Sequence, residues 1–249
     1  MTSEDSGSAT GVSSTERRQR PTIGPQVGQD TRTVQRLRLG VGIIGILLPV
    51  ALPLGNWIFV QLGHRTEILP ASMSGAYYTS TRNIFVGSLC ALGVFLIGYR
   101  YNRRDDFWST LAGVFAIGVA LFPTAPRGAT EFQSTIGALH LIFAGVLLSA
   151  LAMFCLWSFR DPAISAKRTV NRSYLITGVL ILLFLALSVV AGVTRWGEDW
   201  TITPLYICES LSVWAFGAAW IGAAVEIGAL QRTRTVLPRR ASSAQPAAG

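Results

Sequence analysis

Six apolar runs, each close to the length that crosses a lipid bilayer, constrain this chain more than any other feature. A spanning helix needs roughly 20 mostly apolar residues, because the hydrocarbon core is about 30 Å thick. The runs cover residues 39–62, 83–99, 107–123, 136–159, 174–194 and 204–228. The second and third are short, but charged or aromatic residues flank them and extend them toward the interface. No run alternates strictly between apolar and polar residues, which argues against an outer-membrane barrel. Only 14% of the 249 residues are charged, against about 25% in soluble domains, so there is too little charge to cover a water-facing surface. The expectation is an all-α, polytopic integral membrane protein, a bundle of six transmembrane helices.

The distribution of Lys and Arg orients such a bundle. The formal net charge is +8, yet the basic residues lie between the apolar runs and form no patch of the kind that binds nucleic acid. The N-terminal segment, the second and fourth connections and the C-terminal tail together hold 17 of them, among these Arg36, Arg38, Arg100 and Arg172. The other three connections hold four: Arg65, Arg82, Arg127 and Arg195. The alternation is the one six spans require and predicts cytoplasmic N and C termini in a cell (plasma) membrane protein. Residues 1–35, rich in Ser, Thr, Gly, Gln and Arg, and residues 231–249 read as disordered cytoplasmic tails, leaving 36–230 as the transmembrane domain. The first apolar run starts too late and is too long for a cleaved signal peptide.

Several motifs that resemble chemistry have a packing explanation. Gly40-Val41-Gly42-Ile43-Ile44-Gly45 matches G-x-G-x-x-G, but a dinucleotide site needs a strand before the motif inside a soluble βαβ unit. Here it opens an apolar span, where small residues let helix backbones approach closely. Ala112, Ala116 and Ala120, and Ala219 with Ala223, form similar ladders. Pro49 and Pro53 should kink the first helix by removing backbone hydrogen bonds. Cys90, Cys155 and Cys208 are odd in number and unpaired in spacing, so they read as small apolar residues. Trp57, Trp196 and Trp200 suit the outer interface and Trp108 and Trp157 the inner one.

Ionisable groups inside a bilayer cost a few kcal/mol each and are therefore functional candidates. At a rise of 1.5 Å per residue His140 lies about 6 Å, and Glu209 about 7 Å, below the outer end of its span. Arg82 and Asn83 open the second span at that level, and Ser72, Ser74, Tyr77 and Tyr78 precede it with hydroxyls. These eight residues are the candidate ligand-binding set, and Arg82, His140 and Glu209 are expected to form one connected polar cluster. Glu226, near the cytoplasmic end, is expected to snorkel or to pair with Arg100.

The run Ser72-Met73-Ser74-Gly75-Ala76-Tyr77-Tyr78, then Arg82-Asn83-Ile84-Phe85-Val86-Gly87, Leu121-Phe122-Pro123 and His140 before an alanine-rich helix, resembles an uncharacterised bacterial family of six-span membrane proteins. That family is similar in layout to the eukaryotic DRAM/FRAG group. The resemblance covers roughly residues 40–230 and implies an outer-leaflet constellation, but no established reaction. The chain is also similar in outline to the alkaline ceramidase and progestin-receptor superfamily of intramembrane zinc hydrolases. It departs from that pattern in having two histidines in all, His64 and His140, where such a site needs three; no metal and no cofactor are expected.

Two functions follow. The first is a non-enzymatic protein whose outer polar pocket binds a membrane lipid or small amphiphile, as sensor, scaffold or carrier. The alternative is an intramembrane serine-type hydrolase acting on a lipid headgroup, with Ser72 or Ser74 as nucleophile, His140 as base and Glu209 as its orienter. The hydrolase needs the serine within hydrogen-bond reach of its base, and the chain has no G-x-S-x-G nucleophile elbow. A pump or channel finds less support, since no inverted repeat is evident.

Overall fold

The computed structural model describes residues 25–100, 103–159 and 168–242. Among them the regular structure is all helical, with no strand. The α-helices are α1 (Pro25–Gln61), α2 (Arg82–Gly98), α3 (Arg103–Leu121), α4 (Glu131–Met153), α5 (Arg168–Thr194) and α6 (Pro204–Ser242). A 3-10 turn, Ser74–Tyr78, precedes α2, and a π-helical stretch, Phe154–Ser158, ends α4. Four segments are long and apolar enough to cross a membrane: Arg32–Gln61, Glu131–Ser158, Asn171–Thr194 and Pro204–Ala229. α2 is apolar but has 17 residues, roughly 26 Å at 1.5 Å per residue. α3 opens on Arg103, Arg104, Asp105 and Asp106, which lowers its apolar length.

Each helix packs on its neighbours in sequence, and α6 packs back on α1, closing a ring in chain order. Small residues make the closest of these contacts. A Cβ on Gly42 of α1 would stand 2.6 Å from Ile221 Cγ1 and 2.9 Å from the Gly217 carbonyl oxygen of α6. Between α2 and α3, a Cβ on Gly93 would stand 2.8 Å from the Gly113 carbonyl oxygen. The glycine motif at the start of the first apolar run is thus a helix-crossing surface, as close backbone approach in membranes requires. Ala112, Ala116, Ala120, Ala219 and Ala223 are likewise buried.

Two helices extend past the apolar runs. α1 starts at Pro25 and α6 runs to Ser242, so 25–35 and 231–242 are helical where tails without structure were expected. Pro25 is well suited to a first helical position, where its missing N–H costs nothing and its φ is preset. Prolonging an existing helix also needs no new nucleus. The expected disorder of 1–24 and 243–249 lies outside the described residues.

Local chemistry explains the other boundaries. Thr130 and Gln133 form a reciprocal capping box, Gln133 N–H donating to Thr130 Oγ1 at 3.3 Å and Thr130 N–H to Gln133 Oε1 at 2.9 Å. This starts α4 at Glu131, ahead of its apolar stretch. α1 remains one helix through Pro49 and Pro53. Pro53 has no N–H to give the Pro49 carbonyl one turn earlier, and Tyr206 Oη of α6 donates to that carbonyl at 2.9 Å instead. The three cysteines are free thiols, Cys155 and Cys208 buried and Cys90 half-buried.

Candidate functional site

The connections 62–81, 122–130 and 195–203 meet at one end of the ring and cover it. Met73 and Ala76 of the first connection are buried in the hydrophobic core. Thr203 Oγ1 accepts the Tyr206 N–H at 3.1 Å, capping α6, and donates to the Ala71 carbonyl at 2.6 Å. Asn56 Oδ1, at the end of α1, accepts the Thr81 N–H at 3.2 Å. Arg127 and Glu198 join the second and third connections at 3.0 Å.

The residues expected to gather at this end do lie there, but most serve the covering segment. Glu209 Oε2 accepts the Met73 N–H at 2.6 Å, fixing the start of the 3-10 turn to α6. His140 is 2% exposed, and its Nδ1 lies 2.6 Å from the Phe122 carbonyl oxygen. A carbonyl only accepts, so Nδ1 carries the proton. Phe122 follows the last residue of α3, and His140 thereby satisfies a carbonyl at a helix end, where intrahelical donors run out. Ser72 Oγ accepts the Gly75 N–H at 3.0 Å and lies 3.1 Å from Ser74 Oγ.

Arg82 is exposed and stacks its guanidinium 4.1 Å from the Tyr77 ring centroid, while donating to Tyr77 Oη at 2.7 Å. Asn83 is exposed beside it in the first turn of α2. Arg82, His140 and Glu209 therefore form no common cluster. They sit on α2, α4 and α6, and each finds its nearest partner on an adjoining connection. No hydrogen bond joins Ser72 or Ser74 to His140, so the serine, histidine and glutamate of the hydrolase reading are not brought together. Glu226 accepts from Tyr174 Oη at 2.9 Å, and Arg100 donates to Thr110 Oγ1 at 3.1 Å; the expected pairing of Glu226 with Arg100 is replaced by these contacts.

Half-buried Tyr77 and exposed Tyr78 form the wall of this end. Their rings meet edge-on with centroids 5.5 Å apart, and Tyr78 Oη donates to the Thr124 carbonyl at 2.6 Å. With both hydroxyls engaged, the wall offers aromatic surface to whatever lies beside it. On one side is a groove of about 470 Å³, bounded by Leu121, Phe122, Pro123, Phe132 and Ile136 besides the two tyrosines. Leu121 and Phe132 are 63% and 74% exposed there. On the other side is a basin of about 390 Å³ lined by Arg65, Thr66, Glu67, Gly75, Tyr78 and Thr79.

Several buried polar residues escape the sequence reading, Asp105, Thr203 and Ser212 among them, and two lie on α1. Asn56, described above, is one. Arg38 is the other: it is 1% exposed, although its position before the first apolar run marks it as an interfacial charge. Its Nε donates to Tyr99 Oη at 3.0 Å, a terminal nitrogen donates to the same hydroxyl, and the other reaches the Ala223 carbonyl at 3.4 Å. Its guanidinium carbon lies 4.9 Å from the Phe159 ring centroid and 5.4 Å from that of Tyr99. Arg38 thereby ties α1 to the residue that caps α2, to α6 and to the residue after the π-helical stretch. Helical spacing is the signal that finds both residues, since Arg38 and Asn56 fall on the stripe of Val34, Val41, Leu48 and Leu52, all buried.

Comparison with family models, with curated proteins and with solved structures finds no match to this chain.

Proposed function

We propose that this protein spans the plasma membrane six times with both termini cytoplasmic, and binds a lipid or similar small amphiphile in the groove beside Tyr77 and Tyr78. The charge asymmetry between alternate connections supports the orientation. α2 and α3 lie in the ring between α1 and α4, both of which contain segments long enough to cross, which supports counting them as spans. Trp57, Trp196 and Trp200 are exposed toward the covered end, where an aromatic belt belongs.

The groove carries the functional reading. Its size is within the range of small-molecule sites, its walls are mainly apolar, with Thr124 and Gln133 the polar side chains besides the tyrosines, and the hydroxyls of those tyrosines are engaged elsewhere. An acyl chain already in the bilayer gains from such a surface through van der Waals packing, not by leaving water. Photo-crosslinking in nanodiscs tests it, using a phospholipid with a diazirine on its acyl chain. Labelling is expected to concentrate at Leu121, Phe132 and Ile136, above the level at Leu141, an exposed residue of α4 outside the groove. Ile136→Asp should abolish the excess. Equal labelling of groove and non-groove positions would refute the binding role.

A further inference from the structure

The basin and the groove share Tyr78, and their walls differ in character. The groove is bounded mainly by apolar side chains, whereas the basin carries one cation, Arg65, and one anion, Glu67. Both are exposed. Arg65 and Glu67 form no ion pair with each other. Tyr78 itself is held from two sides, by its bond to the Thr124 carbonyl and by the Tyr77 ring. Tyr77 is in turn covered by the Arg82 guanidinium. The divider between the two concavities is therefore braced, and a ligand that uses both must cross over it.

We infer that the amphiphile is a zwitterionic phospholipid, its acyl chain in the groove and its headgroup in the basin, with Tyr78 beneath the junction. This rests on the amphiphile reading above and adds the class of headgroup. The phosphate faces Arg65 and the ammonium faces Glu67. Charge complementarity selects among partners mainly by penalising the mismatched ones. A purely anionic head is repelled by Glu67, a purely cationic one by Arg65, and an uncharged head leaves both without a partner. Only a head carrying both signs matches both walls. Because the two charges are exposed, each is worth the effect of a surface ion pair, roughly twofold to fivefold in affinity.

Competition against the diazirine phospholipid in neutral detergent tests the assignment. The competitors share one acyl chain and differ in head: phosphoethanolamine, phosphoglycerol, trimethylammonium and maltoside. The phosphoethanolamine lipid is expected to displace the probe best. Glu67→Arg should shift the preference to phosphoglycerol, and Arg65→Glu to trimethylammonium. Groove labelling that persists with no headgroup order, or with an order neither variant changes, would overturn the headgroup assignment and leave the amphiphile reading standing. Absence of groove labelling with every head would remove both. Free phosphoethanolamine displacing the probe as well as the lipid does would overturn the straddling arrangement, because a soluble zwitterion would then suffice.

Discussion

Tyr206 and Pro53 should be energetically coupled although they do not hydrogen-bond each other. Pro53 has no N–H, so the Pro49 carbonyl has lost its intrahelical donor, and the Tyr206 hydroxyl supplies one at 2.9 Å. In the native sequence Tyr206→Phe leaves that buried carbonyl without this donor. An orphaned buried polar group costs about 1–3 kcal/mol; hydrogen bonds between membrane helices average about 0.6 and reach about 1.7. The upper part of the membrane range, about 1.5 kcal/mol, is expected here because the backbone has no substitute at hand. In a Pro53→Ala background the residue-53 N–H returns to the Pro49 carbonyl, and the same Tyr206→Phe change should cost about 0.5 kcal/mol. The coupling is then about 1 kcal/mol, above the roughly 0.3–0.5 within which independent sites add. Reversible unfolding of the native protein, both single variants and the double variant in mixed micelles measures it. Additive losses would refute the compensation, whatever Pro53→Ala does by itself.

Other outcomes follow from the same contacts. Gly217→Val should destabilise by about 1–3 kcal/mol through overpacking, because a Cβ there would stand 2.9 Å from the Gly42 carbonyl oxygen. Gly87→Ala, with nothing within 4 Å, should be neutral or stabilise by up to about 1 kcal/mol, and thermal denaturation in detergent distinguishes the two. Arg82→Met and Glu209→Leu should lose stability additively, within about 0.5 kcal/mol; a larger coupling would mean the two side chains touch. Arg38→Lys should be destabilising nearly as much as Arg38→Met, by about 1–3 kcal/mol on the scale of charged hydrogen bonds, since lysine keeps the charge but loses the planar fork and stacking. Full rescue by lysine would show that charge alone matters. In intact cells an impermeant thiol reagent should label Arg65→Cys and spare Thr10→Cys; the opposite pattern would invert the orientation.

The helices were legible because apolar length is a property of consecutive residues. Burial is a property of faces, and averaging along a run conceals it. Arg38 illustrates the difference: it adjoins an apolar run and so reads as an interfacial charge, yet Val34, Arg38, Val41, Gly45, Leu48, Leu52 and Asn56 recur at intervals of three or four along one buried stripe. Arg36, two residues away, is exposed. The sequence contained this periodicity, and reading it as a face would have marked both polar members. The starts of α1 and α4 were less legible. Pro25, Thr130 and Gln133 set them through backbone chemistry outside the apolar runs.

The polar end shows a different limit. Counting residues along each helix yields depth but not direction around the ring. Arg82, His140 and Glu209 were assigned one level, yet α2, α4 and α6 alternate in the ring with α3, α5 and α1 between them. Side chains on alternate helices meet only if they point across the centre. The connections offer closer partners: the Phe122 carbonyl for His140 and the Met73 N–H for Glu209. The path of a connection has no periodicity, so neither partner could be deduced from spacing. These contacts engage one atom of each side chain, His140 Nδ1 and Glu209 Oε2, and the second pins the segment from Met73 to Tyr78 over the ring. What remains exposed is the surface that segment presents. In the proposed function, recognition at this end rests on the two tyrosine rings and the concavities beside them, with His140 and Glu209 beneath as supports for the covering connections.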